Sequence, residues 1–422
     1  MKFRNIFIGS IFTACVISQS VNLQRNLAYL NTKAEDLQRF ESVTEEQLSL
    51  DDAYLDATTI TSTDKQIKLS AKSAFCMEYD TETIIHSYNE NAKLPIASMC
   101  KIMTLLLCFE EIEKGNLSLE EEVTVSEKAA SMGGSQVFLE SNAKYQVKEL
   151  LKSIAVCSAN DSCVAMAERI SGDELIFIDR MNEKAKQLGA TNTLFANCTG
   201  LPKEPQYSTA KDVAKMLKAL LKYDEYYQIG QVWMDTFQHP KGRVTEISNT
   251  NKLIKSYDGC DGGKTGFTNQ AGYCLAATAQ RNGLRIISVV IGEENSKTRF
   301  NDVKTTFDYA FANYSLKNVV DCNNPLKEKI IVSGSKQKEI SIKPSRNSNA
   351  FIKRGDNSEY TIETYINAKL KAPLQVGDTV GELVVFKDGL EIDRISLVAN
   401  ENAERANFFD RFKDIVKKWS IK

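Results

Sequence analysis

Two alternating runs near residues 72–89, SAFCMEYD and TETIIHSYN, meet at Asp80-Thr81, and their period of two predicts a β-hairpin. Pro95 then precedes ASMCKIMTLLLCFEEI. Its apolar positions at 99, 102, 103 and 105–107 cover so much of a helical circumference that this helix is predicted to be central and buried. Helical periodicity returns over about 147–170, where the polar SANDS interrupts it, and again over about 174–188. Farther on, AGYCLAATAQ and LRIISVVIG flank Arg281-Asn282-Gly283, a hairpin signal because Asn-Gly adopts the positive φ of a tight turn. Strands from both ends of the region, around a helical middle, predict one antiparallel sheet covered by a last helix at about 297–313.

After about residue 318 the texture changes to short alternating strands such as KEKIIVSG and GELVVFKDG, which predict a small all-β domain over 318–400. The fold class is therefore α+β. Residues 403–422 carry Phe408, Phe412, Ile415, Val416 and Trp419 on helical spacing among Arg411, Lys413, Lys417 and Lys418, an amphipathic helix suited to an anionic membrane surface. At the other end, Lys2 and Arg4 precede an apolar stretch from Ile6 to Ile17, the pattern of an export signal over residues 1–25. Ala14-Cys15 is a poor lipidation site, with Phe12 three residues ahead of the cysteine. Residues 26–63 are polar and acidic and read as a linker, leaving 64–315 for the catalytic body.

Composition narrows the chemistry. Lysine and arginine number 53 against 55 aspartates and glutamates, so no basic field exists to attract nucleic acid. Only two histidines occur, His86 and His239, and neither sits in a zinc pattern, so no metal is expected. A Ser-His-Asp triad is weakened too: His239 adjoins Pro240 in a polar stretch that reads as loop, and His86 lies in a strand-like run. If the protein is a hydrolase, its base is not histidine. The ten cysteines form no CxxC and fall mostly in apolar runs, which predicts buried thiols.

Three short segments remain as candidate chemistry. Ser98-Met99-Cys100-Lys101 places a hydroxyl and an amine at i and i+3, neighbours on one helix face. The same SxxK spacing recurs at Ser62, Ser141, Ser208, Ser333 and Ser335, so context must distinguish Ser98. It opens a helix, where free N–H groups can hold an oxyanion, and its lysine leads into an apolar run, where burial disfavours an ammonium and favours an amine able to act as base. Ser158-Ala159-Asn160 lies in SANDS, which is either a polar cap or a pair of groups that relay a proton and orient a substrate amide. Lys264-Thr265-Gly266 opens a strand, where it offers positive charge, a hydroxyl for a substrate carboxylate and room for close backbone approach.

In this order SxxK, SxN and KTG resemble the three motifs shared by penicillin-binding proteins and serine β-lactamases. The segments PIASMCKIMT, LLKSIAVCSANDSCVAMAE, DGGKTGFTNQAGYCLAATA, LGATNTLFANCTGL and APLQVGDTVGELVVFKDG are similar to those of the D-alanyl-D-alanine carboxypeptidases, over about residues 64–400. The resemblance implies a penicillin-binding/β-lactamase-like transpeptidase domain, an antiparallel sheet flanked by helices, ahead of the small all-β domain. It also implies an exported enzyme, without cofactor, that trims peptidoglycan stem peptides ending in D-Ala-D-Ala and is inhibited by β-lactams. Ser98 would be the nucleophile and Lys101 its base. Ser158, Asn160 and Lys264 would assist, with substrate held by Lys264, Thr265, Gly266, Phe267 and Arg299. Gln206 and Phe267 depart from the histidines frequent at those places. A β-lactamase is disfavoured, since no ExxLN lies between Ser158 and Lys264 and such enzymes lack the trailing domain. Endopeptidase or transpeptidase action on crosslinks is the alternative within the class, and a non-catalytic wall-binding protein the alternative outside it.

Overall fold

The structure is a computed structural model that describes residues 67–410, apart from residue 338. The expected signal (1–25) and linker (26–63) lie outside the described residues, as does most of the expected C-terminal helix. Within the 403–422 stretch, Ala403 and Arg405 make isolated bridges to Leu374 and Ser335, and helical backbone begins only at Phe408. The helix therefore does not start at 403. Ala403 is buried in the core of the β domain, and extended backbone is what brings it there.

Five strands form the central sheet: β1 (Ser73–Glu78), β2 (Ile84–Tyr88), β3 (Cys260–Thr268), β4 (Gly272–Arg281) and β5 (Leu284–Glu293). Their order is β2-β1-β5-β4-β3, antiparallel throughout, so the first hairpin joins the last strands through β1 against β5, from Ser73 opposite Ile291 to Glu78 opposite Ile286. This leaves β3 on an edge of the sheet. The expected single sheet built from both ends of the region is what the chain adopts.

β5 is buried along its whole length and so lacks a polar face. Ile287, Val289 and Ile291 pack with the helices on one side, while Ile286 and Val290 pack under the last helix on the other. The longer helices are α1 (Lys101–Glu113), α2 (Val147–Cys157), α3 (Asn160–Ser171), α4 (Glu174–Gln187), α5 (Ala210–Leu220) and α6 (Ser296–Asn313). α1 is the central one: Leu105, Leu106 and Leu107 point in different directions and all are buried, each contributing about 2 kcal/mol of burial free energy. That core fixes the N-terminus of α1, where the candidate serine and lysine stand.

The strand Tyr314–Val320 follows α6 without a linker and pairs with Ser348–Lys353, so it crosses the boundary expected between residues 315 and 318. Tyr314 belongs to the core under α6 and stacks on Phe351 at 4.7 Å, which makes this strand the seam. Beyond it, a five-stranded antiparallel sheet runs in the order Lys329–Ile331, Glu339–Pro344, Leu390–Ala399, Thr379–Lys387, Tyr360–Ile366 around its own core.

Candidate active site

The chain enters α1 through a tight turn rather than an ideal helix start. Ala97 takes a positive φ of 47°, and Ala97–Cys100 form a single 3-10 turn. In such a turn side chains at i and i+3 eclipse, which brings Ser98 and Lys101 together more directly than the expected α-helical spacing. Lys101 Nζ donates to Ser98 Oγ at 3.0 Å and to the backbone carbonyl of Thr199. The lysine is wholly buried, whereas Ser98 is half-exposed and so open to a substrate.

The Thr199 carbonyl is itself a built feature. Asn197 Oδ1 accepts from the N–H groups of Thr199 and Gly200 at 3.1 and 2.7 Å, turning the chain so that the carbonyl faces Lys101. Thr104 and Cys100 tie the same loop to α1 through the carbonyls of Cys198 and Asn197. Gly200, at φ +81°, lies so close beneath the nucleophile turn that a Cβ there would stand 2.0 Å from the Ala97 carbonyl oxygen and 2.8 Å from the Ser98 nitrogen.

SANDS forms the join between α2 and α3. Ser158 ends α2 in the left-handed region (φ 68°), its N–H bonded to Ser153 O, and Asn160 begins α3. Asn160 is anchored by its Nδ2 to Gly133 O at 2.7 Å and by its backbone N–H to Ser135 O. Its Oδ1 and the Ser158 Oγ are buried and unpartnered. Such unpaired buried polar atoms carry a desolvation cost of about 1–3 kcal/mol each, tolerated where a ligand is to be met.

The third segment lies on the β3 edge. Lys264 is buried, donates to Thr265 O at 3.2 Å, and is pushed down from the ordinary lysine value to about 7, first by burial and then by the nearby charge of Lys101. Thr265 Oγ1 donates to Thr250 Oγ1 at 2.8 Å, and Thr250 N–H bonds Val156 O near the end of α2, so one residue spans the second and third segments. The close approach expected of Gly266 is to the nucleophile turn: a Cβ there would lie 2.6 Å from Ile96 O and 3.3 Å from the Met99 nitrogen. Phe267 is 49% exposed and its ring lies tilted against that of Tyr273, centroids 4.3 Å apart. Arg299, in the first turn of α6, donates to the carbonyls of Gly266 and Cys274 at 3.2 and 3.4 Å and lies over the Tyr273 ring. Its guanidinium thus ties β3 to β4 through their carbonyls, and its Nε has no partner.

The Lys101–Ser98 pair, Gly266 against the Ile96–Met99 turn, and Thr250 between Thr265 and Val156 thus join the nucleophile turn, the β3 edge and the end of α2, two residues ahead of Ser158. Thr199, Gly200 and Thr250 join them without having been singled out. Neither histidine contacts Ser98. His239, expected in a loop, follows the strand Met234–Gln238 and is buried, its ring nitrogens paired with Tyr145, Arg243 and Thr245. His86 lies on β2. The nine described cysteines are free thiols, seven of them buried. Among the described residues no cluster of His, Cys, Asp or Glu is placed to hold a metal ion.

Residues 58–295 match a family described as D-alanyl-D-alanine carboxypeptidase, and residues 314–405 match the C-terminal domain of penicillin-binding protein 5. A curated D-alanyl-D-alanine carboxypeptidase of Bacillus subtilis, DacF, is 41% identical over 351 residues, which cover 83% of this chain and 90% of the relative. Penicillin-binding protein 5 from Haemophilus influenzae is 28% identical with a TM-score of 0.63, covering 81% of this chain and 99% of that one. A Streptococcus pneumoniae structure described as a peptidoglycan synthesis regulatory factor (PBP3) gives a TM-score of 0.69 at 26% identity, covering 80% of this chain and all of its own.

Proposed function

The chain belongs to the D-alanyl-D-alanine carboxypeptidase family, a family of serine hydrolases, and on that premise we propose how its own residues remove the terminal D-alanine of peptidoglycan stem peptides. Ser98 Oγ attacks the carbonyl carbon between the two D-alanines while its proton passes to the Lys101 amine. The oxyanion that forms is held by the backbone N–H groups of Ser98 and Phe267. The C–N bond then breaks, and the departing amine of D-alanine takes a proton delivered through Ser158 and Lys264. Water hydrolyses the Ser98 ester, releasing the shortened peptide and restoring the hydroxyl. β-Lactams acylate the same serine and leave slowly.

The observation that carries this reading is Lys101 Nζ standing 3.0 Å from Ser98 Oγ, and the buried, unpartnered Ser158 hydroxyl and Asn160 carbonyl support it. A buried amine with the nucleophile as neighbour has the reach that proton transfer needs. Arg299 supports the substrate carboxylate indirectly, since its hydrogen bonds go to the strand that carries Thr265. The test is incubation of the enzyme with a stem pentapeptide ending in D-Ala-D-Ala and, separately, with a crosslinked muropeptide dimer. Free D-alanine from the first and intact dimer from the second is the expected result; cleaved dimer without free D-alanine contradicts it.

We further propose that residues 1–25 direct export and that residues 403–422 attach the protein peripherally to the outer face of the cytoplasmic membrane. Exposed Phe408 and Phe409 in that stretch, both about three-quarters exposed, support the second point. No described helix is long and apolar enough to cross a membrane. Co-sedimentation with anionic vesicles that survives removal of residues 408–422 would contradict the attachment.

A further inference from the structure

The segment Asn249-Thr250-Asn251 is buried on either side of a half-buried centre. Asn249 Nδ2 donates to Gly230 O and Val232 O at 3.0 and 2.8 Å, its N–H bonds Trp233 O, and its Oδ1 accepts from Asn251 N–H at 2.9 Å. Asn251 Nδ2 donates to Gly262 O at 3.2 Å, tying the segment to β3. Thr250 is thereby held rigidly at its backbone, and its N–H bonds Val156 O at 3.0 Å, two residues before Ser158. Its hydroxyl accepts from Thr265 Oγ1 at 2.8 Å.

A hydroxyl has one proton to give. With Thr265 spending its proton on Thr250, the residue that would greet a substrate carboxylate presents only lone pairs to the cleft. For Thr265 to donate to a carboxylate its proton must turn outward, and the 2.8 Å contact survives only if Thr250 then donates in return. The pair would become a directed chain, Thr250 hydroxyl to Thr265 hydroxyl to carboxylate, in which the charge at the end strengthens both links. A threonine alone would have to be held in that rotamer by packing.

Resting on the carboxypeptidase reading above, we propose that Thr250 is a positioning residue for the substrate's C-terminal carboxylate, acting through the hydroxyl of Thr265. It touches neither the reacting carbonyl nor Ser98. Its effect belongs to binding of a carboxylate and not to the chemistry of acylation.

Thr250→Val keeps the shape and the N–H to Val156 while removing the hydroxyl. With a D-Ala-D-Ala peptide the variant should show KM raised about 5- to 10-fold with kcat within about twofold, and Thr250→Ser should stay near wild type. The same peptide with a C-terminal carboxamide in place of the carboxylate binds poorly to either enzyme, and there wild type and Thr250→Val should be equal. An unchanged KM for Thr250→Val, a loss of the same size on the carboxamide, or a Thr250→Ser variant as impaired as the valine overturns the proposal. Should the valine variant fail to fold, Thr250→Ala against Thr250→Ser is read by the same criteria. Wild-type enzyme that releases no D-alanine at all overturns the carboxypeptidase reading itself, whereas active wild type with an unaffected valine variant overturns only the role of Thr250.

Discussion

Gly200→Ala is the substitution that most sharply separates the geometry of the nucleophile turn from general stability. Gly200 has a left-handed φ of +81°, which costs an alanine about 1–2 kcal/mol. The larger effect is steric. The new Cβ would lie 2.0 Å from the Ala97 carbonyl oxygen, where ordinary contact begins at 3.4 Å, so one side must retreat by more than an ångström. If the turn gives way, Ser98 moves; if residue 200 gives way, the Thr199 carbonyl leaves Lys101. Either displacement spoils a pairing that works at 3.0 Å, and a misplacement of about 1 Å is worth roughly 10²-fold in rate. The assay is the second-order rate of covalent labelling by a fluorescent penicillin, with the melting temperature measured alongside. Gly115→Ala is the control, since Gly115 has φ +74° with nothing near its Cβ position and so takes the backbone strain alone. Gly115→Ala should lose about 1–2 kcal/mol of stability and label at the wild-type rate. A Gly200→Ala enzyme that also labels at the wild-type rate would refute the reasoning.

Three further expectations follow, two from buried charged groups and one from a close backbone approach. Lys264→Met removes a charge that the fold disfavours: below pH 7 the wild type carries the full penalty, and the penalty shrinks as pH rises from about 7 toward the ordinary lysine value. Denaturant unfolding should therefore show the wild type gaining on the variant by about 2–3 kcal/mol between pH 6 and pH 9; a difference independent of pH contradicts the perturbed lysine. Asp161→Ala strands the N–H groups of Val137 and Leu139, which the carboxylate now accepts, and should cost about 2–4 kcal/mol in urea unfolding while slowing penicillin labelling, because the loop that holds Asn160 loosens. Gly266→Ala meets the Ile96 carbonyl at 2.6 Å and should lower the labelling rate at least tenfold with the protein still folded, as judged by its melting temperature.

Much of the fold was legible because its signals are local. Alternation in residues 72–88 and the Asn282-Gly283 turn specify hairpins, and the uninterrupted apolar face of 102–109 can only be a buried helix. The strand order was less so: that β1 would zip against β5, more than 200 residues away in the chain, is set by the whole core. Of the candidate site, the SxxK, SxN and KTG segments stand out in sequence only through their order and context, since SxxK recurs at five other serines. Thr199 does not, since it serves through a backbone carbonyl that any residue possesses, and Thr250 depends on a contact across the fold. The positive φ at Ala97 ran against its residue type, as strain at a functional turn often does. His239 does lie in the connection that its polar surroundings suggested, whereas its burial depends on Tyr145, Arg243 and Thr245, which meet its ring only in the fold. The seam at Tyr314 escaped notice for a similar reason: helix and strand abut there with no glycine, proline or charge run to mark a break.

The central claim is that the hydroxyl one turn ahead of Lys101 becomes covalently acylated. Benzylpenicillin incubated with the enzyme, followed by proteolysis and peptide mass mapping, tests it most directly. A single penicilloyl adduct on the peptide carrying Ser98, absent from Ser98→Ala, is the predicted result. An adduct on any other residue, or one that persists in Ser98→Ala, would contradict the account.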